Sequence, residues 1–241
     1  MKGFFPAILI GLLVVEPVQG QTYDALSNWN STSNSGVWQY GTSTALGGAF
    51  TPFTLHNSQS SAPTYTWWSW NGTFVGPVTA LNTSGATITL HGPGDPFPIV
   101  WPIDRLLIAP GGSANSSPVY NVLRWKAPAG EAIDLIGSIE DLQNASVTWY
   151  VLEDGVQKLS GGFPGGGGLQ GSQPFSLNDL QVLQGDTLDF VVYSGGFEGD
   201  DVLGLQETIG PSVPEPSVAI LLWLVGLGLL GGGRARRSAR V

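Results

Sequence analysis

A chain of 241 residues with no cysteine excludes disulfides, thiolate catalysis and Cys-ligated zinc or iron–sulfur centres. Its formal net charge is −9, and of its nine basic residues only Arg105, Arg124, Lys126 and Lys158 lie between the terminal segments, so the body offers no cationic footprint to a nucleic-acid backbone. Charged residues make up 11% of the chain while Gly, Ser, Thr, Asn and Trp are abundant, which favours strands and turns over amphipathic helices.

Lys2 precedes an apolar run over residues 4–15, and Glu16-Pro17-Val18-Gln19-Gly20 follows it. This order of charge, apolar stretch and small residues predicts a secretory signal peptide over 1–20, cleaved after Gly20. From Thr22 onward, short apolar or aromatic runs alternate with Gly, Pro, Asn and Ser clusters, which predicts about ten short strands. The clearest are 49–56, 65–70, 86–91, 104–108, 119–127, 132–139, 147–152 and 187–193. Glu153-Asp154-Gly155 supplies a tight hairpin turn, so residues 156–159 should return antiparallel to 147–152. The glycine-rich run 161–168 predicts a flexible surface loop, since glycine maximises the entropy lost on ordering. No stretch of the body sustains apolar spacing at helical period, so residues 21–212 are expected to form one all-β domain, an antiparallel sandwich of jelly-roll-like form.

Chemistry-bearing patterns in the body are sparse. His56 and His91 are the only imidazoles, each closes a predicted strand, and neither lies in a His-Glu-x-x-His pattern, so no metal and no cofactor is expected. There is no Gly-x-Ser-x-Gly elbow and no Gly-x-x-x-x-Gly-Lys loop. Asp186, Asp189, Asp200 and Asp201 could pair for glycoside cleavage, but sequence spacing does not establish the separation such a pair needs. Gly199-Asp200-Asp201 also lacks the ordered spacing of a calcium loop, so these carboxylates read as solvated turn residues. In Trp67-Trp68-Ser69-Trp70, period-two geometry puts Trp68 and Trp70 on one face and Trp67 on the other. Core packing accounts for one face; exposed, Trp68 and Trp70 would make a platform for stacking on sugar rings. Five Asn-x-Ser/Thr triplets, at Asn30, Asn71, Asn82, Asn115 and Asn144, read as Asn/Ser/Thr-rich turns.

The tail has three parts. Pro214, Glu215 and Pro216 precede an uncharged, Leu/Val/Ile-rich run over 217–233, which ends in Arg234, Arg236, Arg237 and Arg240. At 1.5 Å per residue that run is near the lower limit of about 17 residues for a transmembrane helix. The arginines would hold its end in the cytoplasm and place the body outside, in agreement with the N-terminal signal.

This arrangement resembles the PEP-CTERM sorting domain, over residues 213–241. The resemblance implies a bacterial exported protein whose Pro-Glu-Pro motif is recognised by exosortase, a membrane-embedded cysteine protease that removes the tail. It also implies a host that makes extracellular polysaccharide. The segments Gly36-Val37-Trp38-Gln39-Tyr40-Gly41, Leu123-Arg124-Trp125-Lys126-Ala127-Pro128 and the stretch 184–192 are similar to a β-sandwich domain found in such exported proteins. The expected function is therefore that of a non-catalytic surface or matrix module without enzyme activity, either structural or carbohydrate-interacting. The alternative is a secreted glycan-processing hydrolase using surface carboxylates. Exosortase, the membrane and extracellular polysaccharide are the expected partners, and nucleic acid is not one.

Overall fold

The computed structural model describes residues 20–74, 76–91, 96–111, 119–195 and 201–212. The signal segment up to residue 19, the Pro-Glu-Pro motif, the run 217–233 and the terminal arginines lie outside them. Among the described residues no helix is long and apolar enough to cross a membrane.

The described chain is all strand and turn. In order come β1 (Trp38–Ser43), β2 (Thr51–Pro52), β3 (Leu55–Gln59), β4 (Tyr65–Ser69), β5 (Val78–Asn82), β6 (Ile88–Leu90), β7 (Ile99–Trp101) and β8 (Leu106–Ala109). Then follow β9 (Tyr120–Lys126), β10 (Glu131–Asp141), β11 (Ser146–Glu153), β12 (Val156–Pro164), β13 (Ser172–Val182), β14 (Thr187–Tyr193) and β15 (Leu203–Pro211). They form a six-stranded sheet, β12-β11-β14-β9-β1-β2, and a seven-stranded sheet, β13-β10-β15-β8-β5-β4-β3, with β6 and β7 paired apart. Every pairing between these strands is antiparallel.

Alternation along the strands explains how the two sheets close on each other. Leu123 and Trp125 of β9, Leu188, Phe190 and Val192 of β14, and Trp38 and Tyr40 of β1 turn to the same side. Leu106 and Ile108 of β8, Ile133, Leu135 and Ile139 of β10, and Leu203, Leu205 and Ile209 of β15 meet them from the other sheet. Phe175 bridges the layers, 5.8 Å from the Trp149 ring and 6.0 Å from Phe190. Each such side chain contributes about 1.5 to 3 kcal/mol by leaving water, which is how a cysteine-free domain is held by packing alone.

The outer face of the seven-stranded sheet is covered too. Val78 and Ala80 of β5 and Leu107 of β8 pack with Ile88 and the wholly buried Trp101, and with Tyr65, Trp67 and Phe74, so β6 and β7 form a third layer. On the outer face of the six-stranded sheet, Val122, Leu152 and Val191 make a smaller cluster with Phe50, Tyr120 and Tyr150.

Several sequence expectations are corrected here. The predicted strand 49–56 is broken: Thr51 and Pro52 pair with β1, while Leu55 begins β3 on the other sheet. Pro52 brings no N–H to a ladder, and the buried Phe53 donates its own N–H to Tyr40 O at 2.8 Å as the chain crosses over. The run 161–168 is not one flexible loop, because Gly161, Gly162, Phe163 and Pro164 complete β12 against β11. A side chain at Gly161 would collide with the Trp149 indole, so glycine serves here as a packing surface, and only Gly165, Gly166, Gly167 and Gly168 use its positive φ.

Candidate functional site

The tryptophan platform does not form. Trp68 points into the main core at 5% exposure, and its Nε1 donates to Asn30 O at 2.9 Å. Trp67 faces the opposite way, into the cluster beneath β6 and β7, as alternation requires. Trp70 lies one residue past the end of β4, where the pleat no longer governs its direction, and is 60% exposed. Trp68 and Trp70 therefore share no exposed face.

His56 does not close its strand; it is the second residue of β3, hydrogen-bonded through Nε2 to Thr66 Oγ1, and its ring lies 5.0 Å from Trp68. Burial pushes its imidazole below the usual histidine value, so the ring is neutral at pH 7. His91 lies exposed just past β6. Among the described residues no three His, Asp or Glu side chains gather where they could hold a metal.

The carboxylates also differ from the solvated reading. Asp189, on β14, is 4% exposed and receives two hydrogen bonds from Arg124 on β9, Nε to Oδ1 and Nη2 to Oδ2, both 2.7 Å. The Arg124 guanidinium sits 4.4 Å from the centre of the Phe50 ring. Adjacent strands put the two ends of this fork side by side, since Asp189 is in register with Arg124. Asp201 is buried and accepts the Ser146 N–H at 2.7 Å. Asp186 accepts the Leu183 N–H at 2.7 Å and closes a turn, and Asp200 lies outside the described residues. Asp141, not singled out in sequence, accepts N–H groups from Gln143, Ala145 and Gln170 at 2.9 to 3.0 Å.

A further buried acid gives no sequence signal. Glu207 occupies an inward position of β15, between Leu205 and Ile209, at 2% exposure. Its Oε1 accepts the Ala25 N–H at 2.7 Å, and Tyr23 adds two backbone hydrogen bonds to Ile209, so this carboxyl helps dock the N-terminal segment over β15. Burial, opposed by the Ala25 hydrogen bond and reinforced by Asp24, pushes its pKa up to about 8. Three of the Asn-x-Ser/Thr triplets are turns: Asn30, Asn71 and Asn82 each accept both the N–H and the hydroxyl of the residue two ahead, at 2.7 to 3.0 Å. Asn144 instead accepts from the N–H groups of Gly167 and Gly168, and Asn115 lies outside the described residues.

The three body segments that suggested a recurrent sandwich meet at one corner. Lys126 N donates to Val37 O, Ala127 N to Asp186 O, and Gly185 N to Ala127 O, each at 2.8 Å. Gly36, Val37, Lys126, Ala127, Pro128, Gln184 and Gly185 line an open hollow of about 430 Å³ there. Gly185 takes φ +97°, which a side chain would strain.

A second concavity, of about 250 Å³, opens at the end of the six-stranded sheet between β11, β12 and β14. Ser146, Val147, Thr148, Phe163, Tyr193, Ser194 and Gly195 line it. Tyr193 stacks on Tyr120, ring centres 4.5 Å apart and planes 18° from parallel, on the outer side of the sheet. All three half-buried tyrosines of this face, Tyr120, Tyr150 and Tyr193, come from strands that are neighbours only in the folded sheet.

The described residues thus form two large antiparallel sheets and a small third one, and their buried acids Asp141, Asp189, Asp201 and Glu207 accept structural hydrogen bonds. The last described residue, Ser212, begins the matched segment: residues 212–237 match the PEP-CTERM protein-sorting motif, a span that includes Pro214, Glu215, Pro216, Arg234, Arg236 and Arg237. The motif marks an exported protein, anchored in the membrane at its C-terminal end and processed by exosortase to the cell surface. A search of curated proteins finds no match to the chain.

Proposed function

We propose that this is an exosortase-processed surface or extracellular-matrix protein whose sandwich is non-catalytic and interacts with carbohydrate. The observation that carries the export and processing part of this reading is the sorting motif at 212–237, which joins directly to the end of β15. In this reading residues 1–20 are removed on export, 217–233 spans the membrane as a helix, and Arg234, Arg236 and Arg237 hold its end in the cytoplasm. Pro214 and Pro216 fix φ and disfavour helix in the residues before them, so Glu215 is presented in an extended segment that a protease can draw into its cleft.

Two features of the body support the non-catalytic, jelly-roll assignment. Asp141, Asp189, Asp201 and Glu207 each accept structural hydrogen bonds, which leaves them committed to the fold. The strand orders β8-β15-β10-β13 and β9-β14-β11-β12 are those of two Greek keys wound into a roll, an architecture used by lectin-type domains.

The test is an immunoblot of wild type and Glu215→Ala in the native host with and without its exosortase. Only wild type in the intact host should run at the processed size; the other three samples should accumulate the longer form. Identical bands in all four would leave a plain single-span anchor and overturn the sorting role of Glu215.

A further inference from the structure

We infer that the ledge formed by Tyr193 and Tyr120, with the adjoining groove against β11, is a binding site for a neutral polysaccharide, one pyranose ring of which stacks on Tyr193 inside the groove. This rests on the carbohydrate-interacting reading above and supplies the surface that Trp68 and Trp70 do not form.

The geometry follows from strand order. Tyr193 ends β14, with β9 on one side and β11 on the other. Tyr120 covers the side of its ring toward β9, at 4.5 Å and nearly parallel. The groove lies on the other side, where Thr148 of β11 stands in register with Tyr193. The stacked partner restrains the Tyr193 ring, so less rotamer entropy remains to be lost when a sugar packs against it. The row from Thr148 through Tyr193 to Tyr120 crosses three adjacent strands, about 10 Å at the usual strand spacing, which suits about two sugar rings of a chain.

The lining sets the ligand's chemistry. Ser146 and Thr148 put hydroxyl groups beside an aromatic wall, the combination that meets both the hydroxyl rim and the C–H face of a pyranose. None of the described lining residues is charged. Arg124, on the same face, is committed to Asp189, and Lys158 pairs with Glu153 at 2.6 Å. Lys126 stands at the far end of β9 from Tyr120, about 20 Å along the strand. The remaining field is that of an acidic protein, which repels uronate and sulfate polymers. At about 250 Å³ the groove is smaller than the roughly 300 Å³ at which small-molecule pockets begin, so it takes a single ring and leaves the rest of the chain on the sheet surface.

The experiment is affinity electrophoresis of the full chain in mild detergent through gels containing soluble β-glucan, galactomannan or polyuronate. Wild type should be retarded by at least one neutral polymer and not by polyuronate. Tyr193→Ala should weaken that retardation by about tenfold or more, while Tyr193→Phe, which keeps the ring, should stay within about threefold. Thermal midpoints are compared in parallel; should Tyr193→Ala lower its midpoint, Thr148→Arg, which fills the groove and leaves the ring in place, must abolish retardation. Retardation by a neutral polymer that survives both Tyr193→Ala and Thr148→Arg would overturn this site and leave the carbohydrate reading standing. Retardation by polyuronate alone would overturn the ligand class, and retardation by none of the polymers would sink the carbohydrate reading itself.

Discussion

Glu207 should make this fold lose stability as pH rises, which is the reverse of what a salt-bridged carboxylate does. In the unfolded chain the carboxyl releases its proton near its ordinary value of 4.5; in the folded protein it keeps it to about pH 8. Between those values the folded state binds the extra proton, so stability is full below pH 4.5 and falls steadily until the folded carboxyl ionises near pH 8. At about 1.4 kcal/mol per unit, the whole window is worth on the order of 5 kcal/mol, and about 3 kcal/mol is already gone at pH 7. Glu207→Gln keeps an oxygen for the Ala25 N–H and has nothing to ionise. Urea unfolding of residues 21–212, followed by tryptophan fluorescence from pH 5 to 8, isolates the effect as the difference between the two proteins, because all other carboxylates are common to both. The variant should be the more stable at pH 8, and the gap should narrow toward pH 5. Parallel stability curves across that range would refute the placement of a neutral carboxyl between the sheets.

Two further outcomes probe the packing. Asp189→Ala should destabilise by about 3 kcal/mol, because it strands the half-buried Arg124 guanidinium, whereas Arg124→Met with Asp189→Leu should restore most of the loss in the same urea assay. Trp68→Ala should cost about 3 to 5 kcal/mol and Trp70→Ala no more than about 0.5 kcal/mol, a contrast that thermal unfolding reads directly.

The strands that could be read from the sequence are those whose residues carry their own period. Residues 147–152 alternate β-branched and aromatic side chains, end in Glu153-Asp154-Gly155, and appear as β11 turning into β12. The strands 119–127 and 187–193 were legible for the same reason and appear as β9 and β14. β13 was not, since Ser-Gln-Pro-Phe-Ser-Leu-Asn-Asp-Leu-Gln-Val looks like loop. It survives as the edge strand of its sheet, paired on one side only, where Pro174 and the positive-φ Asp179 are tolerated. β15 hid for another reason. Leu203, Leu205 and Ile209 alternate correctly, but Glu207 occupies an inward position, and a charged residue at the core face argues against a strand until one knows that it is neutral and hydrogen-bonded.

Sites assembled across a sheet escape sequence reading more completely than strands do, because register and strand order decide them. Trp67, Trp68 and Trp70 drew attention through adjacency in the chain, yet adjacency on a pleated strand separates faces, and one residue past the strand end even that rule lapses. Tyr120, Tyr150 and Tyr193 lie far apart in the chain and none stands in a motif. They share a face only because β14 runs between β9 and β11, and that order follows from how β8 to β15 cross between the sheets. Composition carries one part of the answer: abundant aromatics and scarce charge imply that some rings remain near the surface after the core is filled. Which rings those are depends on register, and the Arg124–Asp189 fork pins β9 beside β14, the two strands that carry Tyr120 and Tyr193.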